Sequence, residues 1–411
     1  METITLLQGK HILLGVTGSI AVYKAVDLAS KLTQAGALVD VIMTEGAQNF
    51  VTPLTFQGVT GRPVYTDMWR TSGDEALPAH IAHIGLAESA DLLIIAPATA
   101  HTLAKLAHGM ADNLLTVTAI AAHCPLIIAP AMDGHMYQHA AVQNNLALLM
   151  ERGAYIIEPD EGRFASGLRG KGRLPETPDL LGHIRRVLGQ NGPLAGKRVV
   201  VTAGGTREAI DPVRYITNRS SGKQGYALAQ AAVDAGAEVV LISTAQHLPI
   251  PVGVTHFFVD SAEVMHDAVL YHIQSADALI MAAAVADFRP AQVSEQKIKK
   301  TATEDTPTLP LTRTPDILLS VKRFREEHQQ PQVVIGFAAE SQNLLENARS
   351  KRERKGVDIL VANDISAADA GFAVDTNRVT ILSAQGEVHI DRTSKARVAE
   401  IVIGYLADML A

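Results

Sequence analysis

The sequence contains a single cysteine, Cys124, and no excess of basic residues. One cysteine cannot form an internal disulfide or a multi-cysteine metal site, and it is typical of a reducing compartment such as the cytoplasm. With 36 basic and 43 acidic residues the formal net charge is -7, so no global positive field is available to hold a nucleic-acid backbone. The composition therefore favours a small-molecule partner and argues against nucleic acid.

The N-terminus also lacks the features of a signal peptide, because no basic stretch precedes a long apolar run in METITLLQGK. Residues 113–132 carry no charge and are long enough to span a bilayer. However, polar residues and two prolines interrupt this segment, which divides into a helix-like half and a strand-like half. We expect two buried elements of a folded domain and no membrane partner.

Short β-rich runs alternate with helical patterns along the whole chain, and 411 residues with 47% hydrophobic composition are enough for two cores. Continuous apolar strands predict parallel sheets covered on both faces. The fold class is therefore α/β, with two doubly wound Rossmann-like domains. Strands are predicted at 11–17, 38–44, 91–98 and 125–132, and again at 197–206, 238–244, 277–287, 333–340 and 358–364, with helices from Gly18-Ser19 to about Gln34 and over about 221–235.

The composition changes to Gly, Arg, Lys and Pro over residues 162–196, with one short helical stretch inside. This change predicts the boundary between domains 1–189 and 190–411. Near the end of the chain, RVTILSAQGEVHID alternates in polarity and turns at Gln385-Gly386. That pattern predicts a terminal β-hairpin in the second domain.

The segment GVTGSIA, 15–21, is predicted to be a strand-to-helix turn. Its glycines allow close backbone approach, and the helix N-terminus offers N–H groups to a phosphate. A tight turn with Ser19 as the N-cap explains the same residues. The G-x-G-x-x-G fingerprint is incomplete, and Met43-Thr44 stand where an NAD-binding acid is expected. An NAD(P)-dependent oxidoreductase is therefore disfavoured, and a mononucleotide is favoured.

Three separated motifs are HIGLAESAD from His83, APATAHTLAKLAHGMADNLL at 96–115 and PAMDGHM at 130–136. With these motifs, residues 10–185 resemble the flavin-dependent cysteine decarboxylases, in particular the phosphopantothenoylcysteine decarboxylases. The resemblance implies a flavodoxin-like FMN domain with His83 as a catalytic residue, whereas His83 taken alone would rather be interpreted as a capping or half-buried histidine. The FMN contacts that it implies are Gly18, Ser19, Thr44, Ala98, Thr99 and Asn113.

The family chemistry oxidises a cysteinyl thiol with FMN, releases CO₂ and returns the electrons to the product. Two positions depart from the usual motifs: Asp133 replaces an asparagine that faces the substrate carboxylate, and Ser166 stands where a cysteine often donates a proton. We keep both as candidate catalytic residues. The basic residues Arg163, Arg169, Lys171 and Arg173 could bind a substrate anion or be solvated loop charges.

The second half contains VTAGGTREAIDPVRYITNRSSGKQGYALA, 201–229, where a Gly-rich turn and a polar loop could bind phosphoryl groups. The Walker A spacing is absent, and two ordinary glycine turns remain an alternative. Together with AAAVADFRP, 282–290, and KIKK, 297–300, this segment resembles the phosphopantothenate-cysteine ligases.

That resemblance implies CTP as co-substrate, with Mg²⁺ to screen its phosphates. It implies that Lys297 is a catalytic residue, that Asn218 holds the acyl intermediate and that Arg214 binds phosphopantothenate. The CTP contacts that it implies, besides Lys297, are Ala283, Asp287, Pro315, Asp316, Ile317, Leu318, Phe337, Lys351 and Lys355. The sequence identifies no ligands for Mg²⁺.

The two resemblances reinforce each other, because the ligase product is the decarboxylase substrate. They imply a coenzyme A biosynthesis enzyme that converts 4′-phosphopantothenate and cysteine to 4′-phosphopantetheine. An alternative is an active ligase fused to a catalytically silent flavin-binding or regulatory domain. The resemblance also implies a homo-oligomer, with trimers or a dodecamer through the flavin domain and dimers through the ligase domain.

Overall fold

The computed structural model describes residues 3–69, 82–164, 167–299, 308–340, 344–364 and 374–411. The chain divides into two compact units, Met1–Leu188 and Gly189–Ala411. Each unit buries its own two hydrophobic clusters, one on either face of a central sheet. The predicted α/β class with two doubly wound sheets is confirmed.

The first unit alternates strands and helices along its length. Its strands are β1 His11–Val16, β2 Leu38–Met43, β3 Val64–Tyr65, β4 Leu92–Ala98, β5 Leu126–Pro130, β6 Tyr155–Ile156, β7 Asp160–Arg163 and β8 Arg169–Arg173. Its helices are α1 Val22–Gln34, α2 Glu45–Gln48, α3 Pro53–Thr60, α4 Ala82–Ser89, α5 Ala100–His108, α6 Leu114–Ala121, α7 Gly134–Gln138, α8 Ala140–Glu151 and α9 Thr177–Gly189.

The main sheet of the first unit has six parallel strands in the order β3-β2-β1-β4-β5-β6. Without the short edge strand β3, the order is that of flavodoxin-like folds. In β1, Ile12 and Leu14 pack on one face while Leu13 packs on the other, as expected for a sheet covered on both sides. The strand order reverses between β1 and β4, where ligands of open α/β sheets bind.

The second unit repeats the alternation with a longer sheet. Its strands are β9 Arg198–Ala203, β10 Arg207–Ala209, β11 Tyr215–Thr217, β12 Glu238–Ser243, β13 Thr255–Phe258, β14 Ala278–Met281, β15 Phe288–Pro290, β16 Leu311–Arg313, β17 Val333–Glu340, β18 Ile359–Asp364, β19 Thr376–Ser383 and β20 Gly386–Ser394. Its helices are α10 Lys223–Asp234, α11 Ala262–His272, α12 Ile317–His328, α13 Leu344–Lys355 and α14 Lys395–Leu410.

The eight strands of this sheet follow the order β13-β12-β9-β14-β17-β18-β19-β20. The first six are parallel, and β19 and β20 join them as an antiparallel pair. The predicted hairpin is therefore present, but it is not terminal. It extends the main sheet and is followed by α14, which packs Val398, Val402 and Leu406 into the core.

One strand end differs from the sequence prediction. The strand predicted at 277–287 ends at Met281, and the alanine-rich residues after it form a loop. In the segment 162–196, α9 coincides with the predicted helical stretch, whereas the β7–β8 hairpin was not predicted. The uncharged segment 113–132 forms α6 and β5 as expected. Within the described ranges, no helix is long and apolar enough to cross a membrane.

Candidate active sites

The carboxyl ends of β1 and β4 are joined by a buried threonine in the first unit. The Thr17 hydroxyl donates to the carbonyl of Pro97 at 2.6 Å and accepts from the backbone N–H of Thr99 at 3.1 Å. Thr99 is the N-cap of α5. Ala98 beside it is fully buried, and its carbonyl accepts from the N–H of Ala131 at 3.0 Å.

The loops after β1 and β2 approach each other closely at two glycines. A Cβ added to Gly18 would lie 2.9 Å from the carbonyl carbon of Gly46. Thr44 donates its backbone N–H to Val16 at 3.0 Å, which keeps the second loop at the end of β1. Ser19 accepts from the N–H of Ala21 at 3.3 Å, although the N-cap position of α1 belongs to Ala21.

Two further predicted residues cap helices that begin beside this edge. The Asn113 side chain accepts from the N–H of Thr116 at 3.0 Å at the start of α6. The Asp133 side chain accepts from the N–H of His135 at 3.2 Å at the start of α7. Because aspartate and asparagine are comparable N-caps, the replacement at position 133 is compatible with the local fold.

A small cavity of about 220 Å³ connects the predicted contacts Thr44 and Asn113. Its lining also includes residues 66–69, ending in the highly exposed Trp69. His83 is half-buried on α4, which packs on α6 through Leu86. The structure thus places the helix of His83 against the helix that Asn113 caps.

The β7–β8 hairpin packs against the loop that carries Asp133. Met132 donates its N–H to Gly172 at 2.9 Å, and a Cβ at Gly172 would lie 2.3 Å from the Met132 carbonyl oxygen. Lys171 on the hairpin pairs with Glu158 at 2.5 Å, which raises the pKa of Lys171. Ser166 lies outside the described residues.

A buried lysine that the sequence analysis did not single out holds the segment after this hairpin. Lys24 on α1 donates to the carbonyl of Leu174 at 2.7 Å and pairs with Glu176 at 2.7 Å. It occupies the apolar face of α1, between Val22 and Leu28. The sequence feature that could have identified this lysine is its charge at a position where the helical pattern predicts an apolar residue.

A cavity of about 1080 Å³ opens at the carboxyl ends of β14 and β17 in the second unit. Ligands of open α/β sheets bind outside these strand ends. Its lining includes the predicted residues Asn218, Ala283, Asp287, Pro315, Asp316, Ile317, Leu318, Phe337, Lys351 and Lys355. The structure therefore brings together residues that are far apart in the sequence.

Side chains fix the loops around this cavity. Asn218 donates to the carbonyls of Ala284 and Val285 at 3.1 and 3.2 Å, joining the polar loop to the alanine-rich loop after β14. Asp316 caps α12 and pairs with Lys355. These contacts fix the polar loop against the alanine-rich loop, and α12 against α13, around the cavity.

Of the predicted residues outside the lining of this cavity, Arg214 belongs to a second cluster, centred on a carboxylate that the sequence analysis did not single out. Asp211 has no exposed side-chain surface and accepts from Arg214 Nε at 3.0 Å and from the N–H of Ile298 at 3.2 Å. Arg214 in turn donates to the carbonyl of Ile298 at 2.9 Å. The Arg214 hydrogen bond holds the pKa of Asp211 far below its usual range, and the exposed Lys297 directly precedes the segment so fixed.

The described residues contain no group of three or more His, Cys, Asp or Glu side chains that could hold a metal ion.

Both units match known protein families. Residues 2–189 match the family described as Flavoprotein, and residues 194–410 match the DNA/pantothenate metabolism flavoprotein C-terminal domain. Among solved structures, the C-terminal domain of a coenzyme A biosynthesis bifunctional protein CoaBC is 39% identical, covering 54% of this chain and 98% of that one, with a TM-score of 0.45. A PPC decarboxylase mutant complexed with pantothenoylaminoethenethiol is 32% identical, covering 43% and 97%, with a TM-score of 0.39.

Curated relatives match almost the whole chain. The coenzyme A biosynthesis bifunctional protein CoaBC of Bacillus subtilis is 49% identical over 93% of this chain and 92% of its own length. The proteins of the same name from Vibrio cholerae and Mycobacterium tuberculosis are 45% and 44% identical over 98% of this chain, covering 99% and 97% of their own lengths. The chain therefore belongs to the family of bifunctional coenzyme A biosynthesis proteins.

Proposed function

We propose that residues 190–411 join 4′-phosphopantothenate to cysteine at the expense of CTP, and that residues 1–189 decarboxylate the product with FMN. The observation that carries the ligase assignment is the cavity of about 1080 Å³, which gathers Asn218 and the CTP contacts expected from the resemblance. The decarboxylase assignment rests on the Thr17, Thr99 and Asn113 geometry at the edge of the first sheet.

In the ligase reaction, the phosphopantothenate carboxylate attacks the α-phosphate of CTP, forming an acyl-cytidylate and releasing pyrophosphate. The cysteine amine then forms the amide bond and CMP leaves. Lys297 neutralises charge on the transferring nucleotidyl group, and Arg214, held by Asp211, binds the phosphopantothenate. Asn218, whose side chain joins the polar loop to the alanine-rich loop after β14, holds the acyl intermediate. A magnesium ion, when bound with the nucleotide, would supply screening of the phosphate charges.

The described residues of the first unit fit FMN. Helix N-termini bind phosphate through free N–H groups, and α5 and α6 begin at Thr99 and Asn113 on the ligand-binding edge. Because Gly18 and Gly46 are in contact and have no side chains, a ligand at the end of β1 would meet backbone atoms there. When bound, FMN supplies the two-electron oxidation of the cysteinyl thiol and the later return of those electrons.

The protein side chains orient the substrate and move protons. His83 accepts the thiol proton during oxidation, since histidine is the side chain that most often acts as a general base. Asp133 lies at the N-terminus of α7, where the helix dipole and the His135 N–H stabilise its carboxylate. We assign Ser166 the position of the final proton donor. The silent-domain alternative is not favoured, because the bifunctional relatives match the chain over nearly its full length.

Exposed apolar side chains support a homo-oligomer. On the first unit they include Ile20, Tyr23 and Leu54, and on the second unit Tyr215 and Phe288. The family resemblance, rather than these surfaces, is the ground for proposing trimers or a dodecamer through the first unit and dimers through the second. We also propose a cytoplasmic location, where both substrates and CTP are available.

The test is a single incubation of the FMN-loaded protein with 4′-phosphopantothenate, cysteine, Mg²⁺ and CTP, followed by mass spectrometry. We expect CMP, pyrophosphate and 4′-phosphopantetheine. A reaction that stops at phosphopantothenoylcysteine would support the silent-domain alternative. The absence of CMP would refute the ligase assignment. A second incubation with ATP in place of CTP measures which nucleotide the protein prefers.

A further inference from the structure

A row of side-chain amides lies along one wall of the large cavity, outside the expected nucleotide contacts. Gln224 donates to the backbone carbonyl of Lys395 at 3.1 Å. Asn377 donates to Gln224 at 2.8 Å, and Asn363 donates to Asn377 at 3.4 Å. All four residues line the cavity, where α10 begins beside β18 and β19.

The direction of this row is fixed at one end. A backbone carbonyl can only accept, so Gln224 must turn its NH₂ group toward Lys395 and its oxygen toward Asn377. The same logic orients Asn377 and then Asn363. The row therefore ends on the Oδ1 atom of Asn363, which is a hydrogen-bond acceptor.

That terminal oxygen is buried, with less than 1 Å² of accessible surface, and no hydrogen bond from the described part of the chain reaches it. Buried polar atoms in folded proteins are almost always paired. Since Asn363 lines the cavity, the missing donor is expected on a ligand. The row thus presents an oriented acceptor to whatever occupies this wall.

Two ammonium groups line the same cavity. Lys223 pairs with Asp375 at 2.6 Å and remains partly exposed. Lys395 is buried and donates to the carbonyl of Val374. The pair Lys223 and Asp375 is surface-accessible, so Lys223 can exchange that partner for a ligand anion at little cost.

The combination of a buried acceptor with two cations distinguishes among the ligands of the reaction. The phosphoryl groups of a nucleotide offer acceptors only, and its donors, the ribose hydroxyls and the amino group of cytosine, carry no charge and lie on other parts of the molecule than the phosphates. A free amino acid carries an ammonium donor and a carboxylate on the same carbon. It therefore matches the acceptor and the cations together.

We propose that this wall is the subsite for the amino-acid co-substrate, an inference that rests on the ligase function proposed above. The Oδ1 atom of Asn363 accepts a hydrogen bond from the α-ammonium group. Lys223 and Lys395 attract the α-carboxylate.

The test measures steady-state ligation by the full-length protein with Asn363→Leu and Asn363→Asp. The leucine variant removes the acceptor, and we expect the KM for cysteine to rise about tenfold to hundredfold, the usual effect of losing a hydrogen bond to a charged group. Pyrophosphate release without cysteine, which reports acyl-cytidylate formation, is expected to stay near the wild-type rate. The aspartate variant keeps an oxygen acceptor and is expected to retain most cysteine affinity.

An unchanged KM for cysteine in Asn363→Leu overturns the proposal, as does a rise confined to the KM for CTP. Wild-type protein that releases no pyrophosphate would instead refute the underlying ligase function. If the leucine variant does not fold, the Lys223→Met variant tests the proposal in its place. We expect it to lower the preference for cysteine over cysteamine, which lacks the carboxylate; an unchanged preference also overturns the proposal.

Discussion

The carboxylate of Asp211 and the guanidinium of Arg214 form an ion pair that also fixes the backbone next to Lys297. Asp211 accepts from the N–H of Ile298, and Arg214 donates to the carbonyl of the same residue. One buried acid thus connects the expected phosphopantothenate-binding residue with the expected catalytic lysine, although 87 residues separate Asp211 from Ile298.

We expect Asp211→Asn to reduce the ligase kcat by about tenfold to hundredfold, because small displacements of catalytic groups have effects of this size. The measurement is CMP formation, with decarboxylation of supplied phosphopantothenoylcysteine as an internal control in the first unit. Asp267→Asn is a matched control, since Asp267 is exposed and pairs only with the neighbouring His266 among the contacts described. Full ligase activity in Asp211→Asn would contradict the positioning role.

Gly18→Ala tests the FMN site without adding charge. The new Cβ would lie 2.9 Å from the backbone of Gly46, so the loops after β1 and β2 must separate. We expect about 1–3 kcal/mol of strain and a corresponding loss of flavin affinity, measured from the flavin absorbance of the purified protein. Gly58→Ala is the control, because a Cβ there meets nothing within 4 Å. Equal flavin content in both variants would contradict the prediction.

Lys24→Met should loosen the segment that follows the β7–β8 hairpin. It leaves the carbonyl of Leu174 without its lysine donor, which costs about 1–3 kcal/mol when the group stays buried. We expect a lower urea midpoint for the first unit and slower decarboxylation, with ligation unchanged. Lys31→Met on the same helix is the control, and comparable losses in the two variants would show that Lys24 has no special role.

The stability of the first unit should depend on the protonation of His183. Burial, reinforced by Arg186, lowers the pKa of His183 from its ordinary 6.5 to about 4. Folding therefore favours the neutral imidazole, which accepts from or donates to Tyr155 at 2.8 Å. This contribution is complete above pH 6.5 and is lost as the pH falls from 6.5 toward 4.

We expect the melting temperature of the first unit to fall over that range, and His183→Gln to flatten the dependence. Calorimetry at several pH values provides the measurement. Burial also lowers the pKa of His256 and of His272 in the second unit, so the difference between wild type and variant, rather than the absolute slope, identifies His183. A slope that is identical in the two proteins would contradict the assignment.

The fold was largely predictable from the sequence because its central strands are continuous apolar runs between turns. The strand predicted at 277–287 is present, but its predicted end was wrong for a physical reason. After Met281, two backbone N–H groups go to side-chain hydroxyls: Ala283 donates to the Thr202 hydroxyl at 3.1 Å and Ala286 to the Thr206 hydroxyl at 2.9 Å. Apolar composition alone could not reveal that change of partner.

Several residues expected from family motifs lie together, such as Thr99 and Asn113 at helix starts of the first unit and Asn218 in the cavity of the second, but the residues that support them were not predictable. Lys24 acts on a carbonyl 150 positions away, and Asp211 acts on Ile298. Such contacts depend on the tertiary structure. In the sequence, they are marked by no more than a charged residue at a position that becomes buried. Their functional roles, like those of the predicted site residues, await the experiments above.

The separation of the hydrophobic clusters has an evolutionary consequence. Two clusters use residues only up to Val187, and the other two use residues only from Leu194 onward. A destabilising substitution in one core does not remove packing from the other. Each half can therefore accumulate substitutions in its own core without removing the packing of the other core.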